Sequence, residues 1–363
     1  MKFSLHMIVK DAEHKLARTL DSVKSFVDEI IIVDTGSTDG TISLAESYGA
    51  KVSTFEWIDD FAAARNAALE KVTGDWALWL DAGDVLSPET IKRFEWIKKQ
   101  PAVNDPNSPV NVIWSVLNRK KDDKNEVKYT INQPRIFKMS GNPRWRFAIH
   151  EELWMDSPSA ILDDLLVIDD PEGGMEVASE RNLRIIEKCI AEGRDVERST
   201  FLRLGDLEVL GRYEDIAESI DELYKLPLDN FTFGQAYLTA ARAFHQLKNE
   251  EKERENLLRS MLHDATRPEA YMYLGDLEFG KEKFNRALPY YRAASGMEPD
   301  IRRVQPTHLP HYTYAPYERL GYCYLGLNDL KKATENLYEA IKRAPAHHAK
   351  NLKDIVRQLK EKK

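Results

Sequence analysis

The stretch EIIIVDTGSTDGTISLAE, residues 29–46, decides the fold of the first half of the chain. An apolar run, Glu29 to Val33, reads as a strand; it stops in a polar, glycine-bearing turn, and a helical pattern follows. Working outward, Phe3 to Val9 reads as a strand and Glu13 to Phe26 as a helix. Beyond the stretch come a strand at Lys51 to Phe55, a helix around Ala62 to Lys71, and an apolar run, Trp76 to Leu80, ending in an acidic turn. This is βαβ spacing, which predicts parallel strands whose carboxyl-end loops converge on a ligand site.

After a helix near Glu89 to Lys98 and a loop, QPAVNDPNSP, the runs Val110 to Leu117, Val127 to Ile131, Arg135 to Lys138 and Ala160 to Ile168 read as strands of a mixed sheet extension. Asp169 to Gly174 is turn-rich, and beyond it the pattern is helical throughout. The expected domains are therefore 1–172, α/β, and 173–363, all helical. From about Ser199 the helices repeat. YERLGYCYLGLNDLKKATENLYEAIKRAP (317–345) places Leu320, Gly321, Tyr324, Ala333, Ala340 and Pro345 close to the tetratricopeptide signature. YMYLGDLEFGKEKFNRALPYYRAASGMEP (271–299) repeats it with Leu274, Gly275, Ala287, Tyr291, Ala294 and Pro299. FLRLGDLEVLGRYEDIAESI offers Leu204, Gly205, Gly211 and Ala217, and AYLTAARAFHQL fits a degenerate copy between them. Small residues at these positions let paired helices approach, so they are expected in the core.

With 363 residues, 42% hydrophobic and 31% charged, the composition is that of a soluble globular protein with two cores, not of a disordered chain. The net charge of -8 disfavours broad nucleic-acid binding. Basic residues gather at Arg119, Lys120 and Lys121 and at Arg144 and Arg146, but the first group is interleaved with Asp122 and Asp123 and reads as a solvated loop. No run is long and apolar enough to span a membrane, and the N-terminal run, broken by His6, makes a poor signal peptide. Cys189 and Cys323 read as buried thiols, and a cytoplasmic protein is expected.

Two acidic loops at predicted strand ends carry the chemistry. Asp34 to Thr41 is a polar turn at the mouth of a βα unit, with Asp39 or Ser37 as a helix cap the competing reading. Asp81-Ala82-Gly83-Asp84 sends two carboxylates out of a buried strand; grouped carboxylates repel unless a cation sits between them, which suggests Mg²⁺ or Mn²⁺ bound with substrate phosphates. A solvated turn is the alternative. His150 can complete an oxygen-rich metal site, and Glu151, with Glu152 as the fallback, can take a proton from an attacking hydroxyl or thiol. Trp145 reads either as a stacking wall for a sugar or acceptor or as a core aromatic. No G-x-G-x-x-G follows the first strand and no G-x-x-x-x-G-K-[ST] occurs, which sets aside dinucleotide and P-loop enzymes.

Taken in order, MIVKDAE (7–13), VDTGSTDGT (33–41), FEWIDDFAAARNAALEKVTGDW (55–76), LDAGD (80–84) and RFAIHEEL (146–153) resemble the family 2 glycosyltransferases. The resemblance covers roughly the first 155 residues and implies a GT-A nucleotide-sugar-binding fold with a mixed, mainly parallel sheet. It also implies inverting transfer of a hexose from a nucleoside diphosphate sugar, a UDP-sugar first. By the same resemblance Asp34 contacts the nucleotide base, Arg65 lies near the donor phosphates, Asp11, Asp39 and Trp145 belong to the donor side, and Asp81 starts a metal-linked motif. The usual D-x-D pattern has an acid where this chain has Gly83, which leaves Asp81, Asp84 and His150 as the expected metal ligands. The architecture resembles bacterial enzymes that glycosylate bacteriocin peptides. A peptide or protein acceptor presented by the repeats is the first expectation. A polysaccharide, lipid-linked or other small acceptor, with repeats that dimerise, is the second. A non-catalytic scaffold, suggested by Gly83, is the third.

Overall fold

The computed structural model describes residues 1–120, 127–155, 160–169, 175–223, 225–299 and 307–361. The chain forms two compact units, Met1–Gly174 with Ile301–Thr307, and Met175–Asp300 with His308–Lys363. The turn-rich junction expected after Asp169 lies outside the described residues, as do the start of the loop from Asp300 and the basic loop at Lys121.

In the first unit the early elements stand within a few residues of their expected limits: β1 (Phe3–Val9), α1 (Glu13–Val23), β2 (Glu29–Asp34), α2 (Thr41–Ser47), β3 (Lys51–Thr54), α3 (Phe61–Leu69) and β4 (Trp76–Trp79). There follow β5 (Val85–Leu86), α4 (Pro88–Lys98), α5 (Pro101–Asn104), β6 (Val112–Lys120), β7 (Val127–Lys138), β8 (Arg144–Arg146), β9 (Glu152–Trp154), β10 (Ala160–Asp169) and β11 (Thr307–His308). The main sheet runs β3-β2-β1-β4-β7-β6-β10-β5, with β11 on β7, while β8 and β9 form a separate ribbon. Strands β1 to β4 pair in parallel and β7 is antiparallel to both neighbours, so the sheet is mixed.

Two strands expected at Val127 to Ile131 and Arg135 to Lys138 are one strand, β7. Its register against β6 shifts between Ile113↔Ile136 and Trp114↔Pro134. The bulge falls where Pro134 has no N–H to give the ladder, and it leaves Arg135 as the extra residue. The loop expected at QPAVNDPNSP contains the short helix α5, opened by Pro101.

Register sorts the sheet into two faces. Phe3, Leu5, Met7, Val9, Ile32, Trp76 and Leu78 pack with Leu16 and Leu20 of α1, Ala45 of α2 and Phe94 of α4. Ser4, His6, Glu29, Ile31, Ala77 and Trp79 alternate onto the other face, where Ala77 and Trp79 pack with Ala62 and Leu69 of α3, Phe137 and Trp145. This second face carries the polar groups treated below.

The second unit is a run of helices: α6 (Met175–Ala191), α7 (Val196–Val209), α8 (Tyr213–Leu223), α9 (Asn230–Gln246), α10 (Glu250–His263), α11 (Pro268–Phe279), α12 (Phe284–Ser295), α13 (Leu309–Tyr312), α14 (Ala315–Gly326), α15 (Leu330–Arg343) and α16 (Ala346–Glu361). The helices of the repeat-bearing stretches pack against one another: α7 on α6 and α8, α9 on α10, α11 on α12 and α14 on α15. Close approach explains two of the signature glycines. A Cβ on Gly275 would lie 2.5 Å from the Tyr291 ring, and one on Gly321 2.7 Å from Leu337. Gly205 has open space around its Cα and does not share that reason. Ala287, Ala294, Ala333 and Ala340 are fully buried, as the repeat requires. Cys189 and Cys323 are both buried, as expected. Among the described residues no helix is long and apolar enough to cross a membrane.

Candidate functional site

The carboxyl ends of β1 and β2 are tied into one cradle. Thr35 N–H donates to the Val9 carbonyl (2.9 Å), Ala12 N–H to Thr41 Oγ1 (2.7 Å) and Asp11 N–H to Ser37 Oγ (2.9 Å). In return Asp11 Oδ1 accepts from Thr38 N–H at 2.7 Å. Gly36 makes the turn possible with φ +104, a region closed to most side chains. Asp34 is 2% exposed, and its Oδ2 accepts from the N–H groups of Gly36 and Ser37. Its Oδ1 is buried and has no hydrogen-bond partner among the described residues. A buried acceptor without a partner costs free energy unless a ligand supplies the donor. Asp39 serves the turn: Oδ1 accepts from the backbone and hydroxyl of Thr41, and Oδ2 from Glu13 N–H. The capping alternative is corrected: the N-cap of α2 is Gly40, without a side-chain cap bond, while Asp39 ties Thr41 to the start of α1 and Ser37 accepts from Asp11 N–H.

Helix α3 begins at Asp60, whose carboxylate caps Ala63 N–H (2.8 Å), and it is pinned to β8 by Asn66. The Asn66 amide donates to the Trp145 carbonyl and accepts from Trp145 N–H, both at 2.9 Å. This docking presents Arg65, 4% exposed, between two carboxylates. Arg65 Nε donates to Glu151 Oε1, and Nη2 to Asp81 Oδ1 at 2.8 Å. Nη1 is buried without a partner among the described residues. The guanidinium lies 4.5 Å from the Trp79 ring and 5.2 Å from the Trp145 ring. Burial alone would lower the Arg65 pKa; the carboxylates of Asp81 and Glu151 outweigh it and hold the group charged. Desolvation likewise opposes ionisation of Asp81, and the charges of Arg65 and Arg135 overcome it, keeping that carboxyl below its ordinary range.

The acidic turn divides its two aspartates. Asp81 is half-exposed (53% for its side chain), whereas Asp84 is 3% exposed. Asp84 Oδ2 accepts from Asp81 N–H (3.0 Å) and from Arg135 Nη1 (2.8 Å), the bulged residue of β7, itself 1% exposed. Arg135 also lies 3.9 Å from the Trp79 ring, opposite in role to Arg65: it holds the turn from below. Gly83 has φ +114 and donates to Thr19 Oγ1, so the position where an acid was expected is one where a side chain would strain the backbone.

The three expected metal ligands are not brought together. Among the described residues no group of three His, Cys, Asp or Glu is placed to hold a metal ion. Asp84 accepts instead from Arg135, the residue that the bulge of β7 turns inward. His150 is exposed, at φ +50 in the loop between β8 and β9. Of the two aspartates of the acidic turn, Asp81 alone keeps an exposed side chain.

Glu151, 12% exposed at its side chain, joins Arg65, while Glu152 is exposed at the start of β9. Trp145 is 4% exposed and packs edge-on against Trp79 at 5.1 Å, so it is a core aromatic and not an open sugar wall. Arg135, Trp79, Asn66 and His6 escaped the sequence reading. His6 had left one trace, a polar residue interrupting an apolar strand.

The sequence model described as Glycosyl transferase family 2 matches residues 4–145, and a Tetratricopeptide repeat model matches residues 314–347. A TPR repeat-containing protein of Synechococcus elongatus is 38% identical over 148 residues, which cover 41% of this chain and 34% of that protein. The SPbeta prophage-derived glycosyltransferase SunS of Bacillus subtilis is 24% identical over 228 residues, 60% of this chain and 51% of SunS. The chain thus spans about a third to a half of the length of these curated relatives. A crystal structure of S. aureus TarS 1-349 aligns over 73% of this chain and 92% of its own, with 15% identity and a TM-score of 0.36.

Proposed function

From the premise that this chain carries a family 2 glycosyltransferase domain followed by a tetratricopeptide repeat, we propose that it transfers a hexose from a nucleoside diphosphate sugar, UDP first, to a side chain of a polypeptide acceptor. The observation that carries the reading is the Arg65 clamp: a buried cation at the strand ends, tied to Asp81 and Glu151, with one nitrogen unpaired. In this reading Asp34 Oδ1 accepts an N–H of the nucleotide base. Arg65 offsets charge growing on the departing diphosphate. Glu151 takes the proton of the acceptor nucleophile as its lone pair attacks the anomeric carbon and the sugar–phosphate bond breaks, which inverts that carbon. Glu152 is the fallback base. Mn²⁺ or Mg²⁺, held by Asp81 together with the donor phosphates, would add further charge neutralisation when bound.

The acceptor side is supported by the likeness to SunS and by a cavity of about 360 Å³ within the helical unit. Its walls include Glu208, Arg242, His245, Glu253, Tyr273 and Asp276, a mixed polar lining able to hold side chains of an extended peptide. Thermal shift and donor hydrolysis with UDP-, GDP- and dTDP-sugars, with and without Mn²⁺, test the proposal on wild type, Arg65→Ala and Asp81→Ala. Selective stabilisation by one donor, lost in both variants, is the expected result. Absence of any nucleotide-sugar effect on wild type sinks the enzyme reading and leaves the helical unit as the functional part.

A further inference from the structure

His6 stands in the middle of β1 and is completely buried, yet neither ring nitrogen has a hydrogen-bond partner among the described residues. A hydrophobic residue would fill the same space at lower cost, since each unpaired buried polar atom carries a desolvation penalty. Its place is specific. In the parallel register His6 is the cross-strand partner of Trp79, on the same face of the sheet, and Trp79 is the ring over which the Arg65 guanidinium lies at 4.5 Å. The imidazole also meets Trp145 edge-on at 6.3 Å, and Trp145 is the other ring against Arg65. A buried acceptor without a donor thus shares two aromatic neighbours, Trp79 and Trp145, with a buried donor without an acceptor, Arg65 Nη1.

Resting on the donor-phosphate role given to Arg65 above, we propose that His6 is a positioning residue for that arginine, a neutral acceptor that engages Nη1 when a donor diphosphate draws the guanidinium away from Glu151 or Asp81. Contacts to ring faces set where a guanidinium sits but leave its rotation to hydrogen bonds. Two of its three nitrogens are held by carboxylates, and an incoming diphosphate competes for those same nitrogens. The third needs a hook that does not itself repel phosphate or rival it in charge. A carboxylate there would compete with the ligand, and a protonated imidazole would repel the arginine. Burial first, then the Arg65 charge, pushes the His6 pKa down to about 3, so the ring is neutral wherever the enzyme would work.

The test compares wild type, His6→Phe and His6→Gln in steady-state hydrolysis of whichever UDP-, GDP- or dTDP-sugar wild type turns over, alongside thermal unfolding of each. Phenylalanine keeps the ring contacts with Phe137 and Trp145 and deletes the acceptor. The expected result is a loss of about tenfold or more in kcat for His6→Phe, with donor KM little changed and unfolding temperature equal to or above wild type. His6→Gln, a neutral acceptor without the ring, recovers most of that rate. Wild-type kcat in His6→Phe, a loss confined to KM, or a rate loss that tracks a fall in unfolding temperature each overturns the positioning role while leaving the transferase reading intact. A wild type that turns over none of the donors removes that reading, and the positioning role with it.

Discussion

The two ends of the parallel strands bury charge in opposite ways. At the amino end Glu29 is 7% exposed and fully satisfied. Its Oε2 accepts from Ser4 Oγ at 2.6 Å and from Thr73 N–H at 3.1 Å, and its Oε1 from Lys51 Nζ at 2.7 Å. Gly74 N–H closes the network onto Ser4, in a spot where a Cβ would lie 2.5 Å from that hydroxyl. At the carboxyl end Asp34 Oδ1, Arg65 Nη1 and Trp145 Nε1, and at mid-strand both nitrogens of His6, lack partners among the described residues. The same sheet therefore carries one saturated cluster and one unsaturated cluster. Saturation contributes to stability and needs nothing from outside, whereas unpaired buried groups favour a ligand that completes them.

Four measurements would break or sharpen this contrast, taken from the largest effect down. Glu151→Gln should lower kcat by roughly 10²–10⁴-fold while Glu152→Gln stays near wild type, as read from donor-saturated transfer or hydrolysis rates. The reverse ranking would move the base to the outer face of the β8–β9 ribbon. Asp84→Ala should destabilise the first unit by about 3–5 kcal/mol in a denaturant titration, because it strands the buried Arg135 guanidinium. A variant of native stability that lost only its Mn²⁺ response would return Asp84 to the ligand set.

Glu29→Gln comes next. Burial alone would raise the Glu29 pKa, but Lys51, Ser4 and Thr73 outweigh it and pull it down to about 2. A depressed carboxyl contributes stability above its unfolded pKa near 4.5, on the order of 3 kcal/mol here, and loses it as the pH falls toward 2. Acid titration of unfolding free energy should show that loss in wild type and not in Glu29→Gln. His6 is read over a narrower, different window, pH 6.5 to 4.5, where its expected effect of about 2.7 kcal/mol is the smallest of the four. Its folded pKa of about 3 lies below the ordinary 6.5, so the unfolded chain takes up the proton first. Stability is complete above pH 6.5 and falls by about 1.4 kcal/mol per pH unit as acid is added, down toward pH 3. His6→Phe should flatten that slope between pH 6.5 and 4.5; an unchanged slope would assign the acid sensitivity elsewhere.

How much of this was legible in the sequence follows from the range of the interactions. Asp11, Asp34 and Asp39 could be found because their loops lie directly after strands and their backbone partners are close in sequence or on the adjoining loop. Arg65, Asp81 and Glu151 were singled out one by one, and the resemblance supplied roles for two of them. Their mutual contact was not visible, since it joins a helix, a turn and a ribbon loop separated by 16 and 86 residues. Arg135 was hidden for a different reason: an arginine in a strand ordinarily points to solvent, and only the bulge beside Pro134 turns it inward onto Asp84. Gly83 was read as a departure from an acidic motif, but the positive φ shows a turn that favours glycine at that point.

The sequence by itself determined the alternation of strands and helices, the helical repeats with Gly275 and Gly321 at their contacts, and the strand ends where polar chemistry would gather, because these follow from apolar periodicity and local turn preference. Only the tertiary structure decided which aspartate stays open and which is buried, why Trp145 belongs to the core, and that His6 and Arg65 share the Trp145 ring. Those outcomes depend on strand register and on a one-residue bulge, and a shift of one residue in either would exchange the buried and exposed faces of the whole site.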